Sequence, residues 1–202
     1  PDAVSRCLEE AGIAFMFAPV FHSAMAHAAG PRREMGIPTV FNFLGPLTNP
    51  ARPAAQVVGV SDERMQPVLA GVLSERGTRA YVVHGQDGLD EITTTGASIV
   101  YETGLDEPHP SVLDPSDYGL DISRKADLEG GDAAHNAEVA RKVLSGDHGP
   151  IRDIVILNAA AALTVAGLAK DLQEGLAVAA ESTDSGKASA TLEKWIEVSN
   201  LE

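Results

Sequence analysis

The chain has 202 residues, of which 44% are hydrophobic and 4% aromatic, with a formal net charge of −14 and one cysteine. This hydrophobic fraction supports a packed core and excludes a largely disordered chain. The excess of acidic side chains repels phosphate backbones, so nucleic-acid binding is not expected. No apolar run reaches 18 residues, so no membrane span is predicted. A lone cysteine cannot form an internal disulfide and fits a reducing cytoplasm.

The first elements are predicted to be helical. Apolar residues recur at intervals of three or four over residues 2–11, which predicts a helix that ends at Gly12. A second helical pattern covers residues 21–35 with a break near residues 30–31. Residues 39–50 include Gly45-Pro46 and Asn49-Pro50, residue pairs that predict turns.

Residues 56–101 read as a strand–helix–strand unit followed by a third strand. Strands are predicted over residues 56–60, 80–83 and 98–101. The intervening helix, over residues 62–76 with Ser61 as its N-cap, is long enough to cross over between the first two strands.

The remainder of the chain is predicted to be mostly helical. Residues 107–119 are rich in proline and aspartate and are expected to be irregular. Asp132 is expected to cap the first of four helices, over residues 133–144, 151–169, 171–181 and 187–198. The chain is therefore predicted to be α/β, with a mixed, mainly parallel sheet covered by helices.

Two adjacent carboxylates, Asp90 and Glu91, follow the predicted strand over residues 80–83 on a glycine-rich loop. Ligands in α/β folds collect beyond the carboxyl ends of strands. Mg²⁺ prefers one or two carboxylates together with water and phosphate oxygens. The pair is therefore a candidate magnesium site; the alternative is a solvated acidic turn.

Two further features are candidates for binding. Arg32 and its neighbour Arg33 could form a carboxylate or phosphate clamp, or a surface ion pair with Glu34. Gly45 allows close approach of the backbone to a ligand and Pro46 stiffens it, although an ordinary connection would have the same composition.

Together, these segments resemble anthranilate phosphoribosyltransferases in order and spacing. Residues 41–50 and the loop that carries Asp90 and Glu91 are the specific matches. The other matching segments are residues 15–22, 32–36, 93–95, 130–132, 136–137 and 158–160.

The resemblance implies a small helical domain and a large α/β domain. Here residues 1–50 are expected to be a remnant of the helical domain with the hinge, and residues 51–202 the α/β domain. It implies a cytoplasmic homodimeric enzyme of tryptophan biosynthesis that transfers a phosphoribosyl group from phosphoribosyl pyrophosphate to anthranilate, with Mg²⁺ as cofactor. By resemblance, Asp90 and Glu91 hold the Mg²⁺ and Arg32 holds the anthranilate carboxylate. The residues expected to line or adjoin the anthranilate channel are Ala18, Pro19, His22, Met25, Gly45 and Pro46. No residue is identified as a general base.

The sequence also departs from the family pattern. Ser23 stands where the family often has proline. The family's glycine-rich pyrophosphate loop does not occur in the chain, which begins at Pro1. We therefore expect an upstream segment to be missing and the chain alone to have little or no activity. The alternatives are a pyrimidine nucleoside phosphorylase-like enzyme and a non-catalytic nucleic-acid-binding paralogue.

Overall fold

The computed structural model describes residues 2–21, 30, 34–37, 39–104 and 107–201. Within these ranges no helix combines the length and the hydropathy that a membrane span requires.

Among the described residues, three helices precede the sheet, one helix lies between its first two strands, and four helices follow its last strand. The helices are α1 (Asp2–Ala11), α2 (Ala18–Phe21), α3 (Phe41–Leu44), α4 (Gln66–Glu75), α5 (Ala133–Leu144), α6 (Pro150–Val165), α7 (Leu172–Asp184) and α8 (Lys187–Ser199). The strands are β1 (Ala55–Gly59), β2 (Arg79–Gly85), β3 (Ser98–Glu102) and β4 (His109–Leu113). Short 3-10 turns cover Pro46–Thr48, Glu63–Met65, Pro115–Tyr118 and Lys125–Leu128.

The four strands form one mixed sheet in the order β1-β2-β3-β4. β1 and β2 are parallel, with Val58 opposite Val82, and the β2–β3 and β3–β4 pairs are antiparallel. The predicted mixed sheet is confirmed, but its mainly parallel character is wrong for the described strands. Parallel pairing needs a long crossover, usually a helix, and only the β1–β2 connection contains one.

The predicted strand–helix–strand unit is confirmed, with a different N-cap. The Asp62 carboxylate, not Ser61, accepts a hydrogen bond from the Arg64 backbone N–H at 3.1 Å. A 3-10 turn follows and leads directly into α4, which crosses from β1 to β2. Gly77, with a φ of 64°, follows the C-cap of α4 and ends the helix as predicted.

The core lies between the sheet and the helix pair α6 and α7. Val83, Ile92 and Leu157 are fully buried in it. Gly175 allows α7 to approach α6 so closely that an added Cβ would lie 2.7 Å from the Ala160 carbonyl oxygen. A second hydrophobic cluster lies between the sheet and α4, on the face of the sheet opposite to α6 and α7.

The two ends of the described chain pack together. α1 contacts α8, and the Arg6 guanidinium donates to the Leu201 carbonyl at 2.6 Å. Cys7 is buried in α1. The predicted helix over residues 2–11 is confirmed, and its partner is the last helix of the chain.

Two predictions in the second half of the chain need correction. Residues 107–119 are not all irregular, because they include β4 and the turn Pro115–Tyr118. β4 contains Pro110 and lies at the edge of the described sheet, which is where a strand tolerates proline. The long apolar helix begins at Pro150 and ends at Val165 rather than at residue 169.

Candidate active site

The candidate magnesium ligands lie on the carboxylate loop, which we define as residues 86–97 between β2 and β3. Its first turn is closed by two backbone hydrogen bonds of 2.8 Å, from the Gly85 N–H to the Leu89 carbonyl and from the Gly88 N–H to the Gly85 carbonyl. Gly88 has a φ of 92°, a conformation that glycine adopts without steric cost. The loop is therefore a defined turn rather than a slack connection.

Asp87 organises the inside of this loop. One carboxylate oxygen accepts from the Thr93 and Thr95 hydroxyls at 3.0 and 2.6 Å, and the other accepts from the Leu89 N–H at 3.1 Å. Burial acts to raise the pKa of Asp87, but these hydrogen bonds outweigh it and the pKa is lowered. Because both oxygens already have partners, Asp87 serves the loop itself. Sequence reasoning missed this residue.

Asp90 and Glu91 are exposed at the outer end of the loop. Within the part of the chain that the structure describes, neither side chain has a hydrogen-bond or ion-pair partner. Although the residue is exposed overall, partial desolvation of the Glu91 carboxyl group, and then the neighbouring charge of Asp90, raise its pKa. A bound cation would relieve this repulsion, so the pair has the electrostatics of a cation site.

The residue that follows Glu91 anchors the loop to the fold. Ile92 is fully buried. Its N–H donates to the Asn158 side-chain oxygen at 3.0 Å, and its carbonyl accepts from the Asn158 side-chain nitrogen at 2.8 Å. Asn158 lies on α6, so this double contact joins the carboxylate loop to the main core helix.

The strand ends beneath the loop are also tied together. The Val60 N–H donates to the Val83 carbonyl at 2.9 Å. The Nδ1 atom of His84 lies 2.6 Å from the Val60 carbonyl oxygen. Since a carbonyl can only accept, Nδ1 carries the proton. Buried His84 is therefore structural, and it fixes the end of β2 against the end of β1.

The Asp90 and Glu91 carboxylates provide part of a coordination shell for Mg²⁺. No cluster of three or more His, Cys, Asp or Glu side chains suited to a metal occurs within the described ranges. Two free carboxylates are nevertheless what Mg²⁺ usually takes from a protein, with water and substrate phosphate completing its octahedral shell. The predicted pair therefore suits a metal that is shared with a phosphate-bearing ligand.

The predicted acceptor side is only partly described. Ala18 and Pro19 begin α2 and are exposed. Just before them the Phe15 and Phe17 rings stack with centroids 6.3 Å apart, and the two residues are 66% and 54% exposed. The predicted acceptor residues His22, Met25 and Arg32 lie outside the described residues.

Gly45 follows the last residue of α3, and Pro46 begins the turn Pro46–Thr48. Gly45 has a φ of −51°, so its backbone does not demand glycine, and a Cβ there would meet no atom within 4 Å. Pro46 lines a cavity of about 670 Å³ together with Arg52 and Arg76. Neither Asp90 nor Glu91 lines this cavity. The two predicted halves of the site are therefore not brought into one cavity by the described residues.

Asp132 is an N-cap, as predicted, and accepts from the His135 N–H at 2.8 Å. The preceding Gly131 is held by Asn136, which accepts from its N–H at 2.8 Å and donates to its carbonyl at 3.1 Å. The turn at residues 130–132 is therefore held by side chains from the same segment, as Asp87 holds the carboxylate loop.

The chain is similar to a known protein family, to curated relatives and to solved structures. The family model described as the glycosyl transferase family, a/b domain, matches residues 1–189. The anthranilate phosphoribosyltransferase of Moorella thermoacetica is 55% identical over 203 residues, covering 98% of this chain and 59% of the relative. That of Salinispora arenicola is 52% identical over 205 residues, covering 99% and 58%.

Solved structures give the same result. The crystal structure of anthranilate phosphoribosyltransferase from Thermus thermophilus matches with a TM-score of 0.92 and 40% identity, covering 98% of this chain and 59% of that one. The Saccharomyces cerevisiae enzyme in complex with PRPP and Mg matches with a TM-score of 0.84 and 31% identity, covering 92% and 53%.

The chain thus spans somewhat less than three fifths of the length of these curated relatives. The α/β fold inferred from the sequence is confirmed by these neighbours. On the strength of the family match over residues 1–189, the chain belongs to the glycosyl transferase family, of which it contains the a/b domain.

Proposed function

We propose that the chain is part of an anthranilate phosphoribosyltransferase. This enzyme transfers a phosphoribosyl group from phosphoribosyl pyrophosphate to anthranilate, giving N-(5-phosphoribosyl)anthranilate and pyrophosphate in tryptophan biosynthesis. The observation that carries the proposal is the free Asp90 and Glu91 pair on a fixed loop beyond the end of β2. The relatives' names support the transferase, and they do not support the nucleoside phosphorylase or nucleic-acid-binding alternatives.

The metal side of the reaction is assigned to Asp90 and Glu91. When bound there, Mg²⁺ supplies positive charge that neutralises the pyrophosphate leaving group without a proton transfer. The yeast relative in complex with PRPP and Mg supports this assignment. The two side chains hold the cation and have no competing partner among the described residues, while Asp87 keeps the loop that carries them in shape.

The acceptor side is assigned by resemblance to residues in the first quarter of the chain. Arg32 holds the anthranilate carboxylate, because a guanidinium binds a carboxylate through two parallel hydrogen bonds. His22 and Met25 line the anthranilate channel with Ala18 and Pro19, and Gly45 and Pro46 lie nearby. The exposed aromatic residues beside α2 support an apolar acceptor surface.

The organisation of the protein is part of the same proposal. Residues 1–50 are assigned to a helical unit and hinge with acceptor elements, and residues 51–202 to the α/β unit. The intact enzyme is proposed to be a cytoplasmic homodimer that binds neither nucleic acid nor membrane. The acidic net charge of −14 supports the absence of a nucleic-acid partner.

The proposal is tested by joining the upstream two fifths of the Moorella thermoacetica enzyme to this chain, since the two are 55% identical where they overlap. Loss of anthranilate fluorescence is measured with phosphoribosyl pyrophosphate and Mg²⁺. We expect turnover by the chimera and little or none by the 202-residue chain alone. Phosphorolysis of thymidine by the chimera, with anthranilate unchanged, would assign it to the phosphorylases instead.

Replacing Arg32 tests the acceptor anchor in the same chimera. Arg32→Ala removes hydrogen bonds to a charged group, worth about 1.5–3 kcal/mol. We therefore expect the KM for anthranilate to rise by roughly 10- to 150-fold, since about 1.4 kcal/mol is a factor of ten, with a smaller change in the KM for the donor. Arg33→Ala is the neighbouring control. An unchanged KM for anthranilate in Arg32→Ala would remove Arg32 from the site.

A further inference from the structure

We propose that Asn158 and Gly59 are positioning residues for the magnesium-binding carboxylates. They lie on α6 and β1, and they fix the backbone on either side of Glu91 without contacting the metal. This inference rests on the proposed function of Asp90 and Glu91 as magnesium ligands.

Asn158 holds the backbone directly after Glu91. Besides accepting from the Ile92 N–H and donating to the Ile92 carbonyl, its side-chain nitrogen donates to the Ile154 carbonyl at 2.9 Å. Both amide hydrogens and the oxygen are therefore used, which fixes the orientation of the amide. The contact imitates the pairing of two strands, between residues 66 positions apart in sequence.

Gly59 supports the backbone directly before Glu91. A Cβ at this position would lie 1.7 Å from the Asp90 carbonyl oxygen and 2.7 Å from its carbon. These are main-chain atoms, so they cannot swing aside as the end of a long side chain could. Only glycine lets the end of β1 support the loop at Asp90.

The two contacts together fix the backbone from which the carboxylates project. Asp90 rests on β1, Ile92 is fixed to α6, and Glu91 lies between these fixed points. Mg²⁺ requires near-ideal octahedral geometry with short bonds, so a small displacement of the loop weakens binding. Partners that orient metal ligands typically change metal affinity by about 10- to 100-fold when they are mutated.

The test uses the 202-residue chain with Mn²⁺ as a paramagnetic probe and measures its affinity by electron paramagnetic resonance. We expect Asn158→Ala and Gly59→Ala each to weaken Mn²⁺ binding by about 10- to 100-fold. Asn136→Ala is the matched control, because Asn136 makes the same double contact to a different turn. It should leave Mn²⁺ affinity unchanged even where it lowers thermal stability.

Amide hydrogen exchange at Ile92, followed by NMR, gives a readout that is independent of metal. Asn158→Ala should accelerate this exchange. Asn158→Asp keeps an acceptor for the Ile92 N–H but cannot donate to the Ile92 and Ile154 carbonyls, so it should restore protection of the Ile92 N–H only in part. If Asn158→Ala fails to fold by circular dichroism, Asn158→Asp and Gly59→Ala carry the test, because both are expected to bind Mn²⁺ more weakly than Asn136→Ala.

The double substitution Asp90→Asn, Glu91→Gln separates the two ways in which the inference can fail. If it abolishes Mn²⁺ binding while Asn158→Ala and Gly59→Ala bind as tightly as the parent, the positioning roles are wrong and the metal assignment stands. If the double variant binds Mn²⁺ as the parent does, the metal assignment and the inference both fall.

Discussion

Replacing Asp87 by alanine should destabilise the chain by about 2–4 kcal/mol. Hydrogen bonds to a charged group contribute about 1.5–3 kcal/mol each, and Asp87 accepts three. The total is less than their sum because the Thr93 and Thr95 hydroxyls lie 3.2 Å apart and can continue to pair with each other. The Leu89 N–H can donate a hydrogen bond to water instead, since the loop is only part-buried there.

Urea unfolding at pH 7 measures this loss, with Asp87→Asn as the matched variant. Asparagine keeps the shape and one acceptor oxygen, so we expect a loss of only about 1 kcal/mol, typical of one neutral hydrogen bond. Equal stability of the parent and Asp87→Ala at pH 7 would refute the role of Asp87 as the organiser of the loop.

The pH dependence provides a second check on Asp87. Its pKa is lowered in the folded chain, so the stabilisation is complete above the unfolded carboxyl pKa of about 3.9. It is lost as the pH falls below that value through the lower folded pKa. The difference in unfolding free energy between the parent and Asp87→Ala should therefore narrow in strong acid, and a gap that stays constant from pH 7 to pH 2 would contradict this.

Three further predictions follow from single contacts. Gly175→Ala should cost about 1–3 kcal/mol in urea unfolding, because its Cβ would press on the Ala160 backbone and force α6 and α7 apart; an unchanged midpoint would refute that contact. Asp184→Asn should lower the Tm, because the largely buried Arg152 loses a carboxylate at 2.7 Å; an equal Tm would contradict this. Glu91 has a raised pKa, so its ionised form disfavours the folded state at pH 7. Glu91→Gln should therefore not lower the Tm of the metal-free chain. It should still weaken Mn²⁺ binding, because it removes a proposed ligand. A lower Tm of the metal-free variant would contradict the first expectation.

Much of the fold follows from local signals in the sequence. The helix over residues 2–11 is marked by its apolar spacing and by Gly12, which has a φ of 75°. The α4 connection is marked in the same way by Gly77. These signals work because only glycine adopts the left-handed conformation without strain.

Strand pairing and the edge strand did not follow from local signals. Residues 109–113 include proline and are mostly exposed, so they lack the alternation of a half-buried strand. Their structure comes from pairing with β3, for which they have the partners Glu102 to Ser98. The antiparallel direction of that pairing depends on the length of the connections, not on the composition of the strands.

The candidate site was predictable where the chemistry is carried by residue type. Asp90 and Glu91 are identifiable as paired carboxylates after a strand, and their exposure and their lack of partners in the described ranges agree with that interpretation. The roles of Asp87 and Asn158 depend on contacts that form only in the folded chain. Asn158 belongs to the matching segment over residues 158–160, but its contact with Ile92 spans 66 residues, and no local pattern encodes it.

The central claim is that Asp90 and Glu91 hold the Mg²⁺ used for phosphoribosyl transfer to anthranilate. It is tested most directly by titrating Mg²⁺ while following anthranilate fluorescence in the chimera, for the parent and for Asp90→Asn, Glu91→Gln. We predict that the parent consumes anthranilate only when Mg²⁺ and phosphoribosyl pyrophosphate are both present, and that the double variant needs at least about tenfold more Mg²⁺ for half-maximal rate. An unaltered Mg²⁺ titration, or a parent chimera that leaves anthranilate untouched, would contradict the claim.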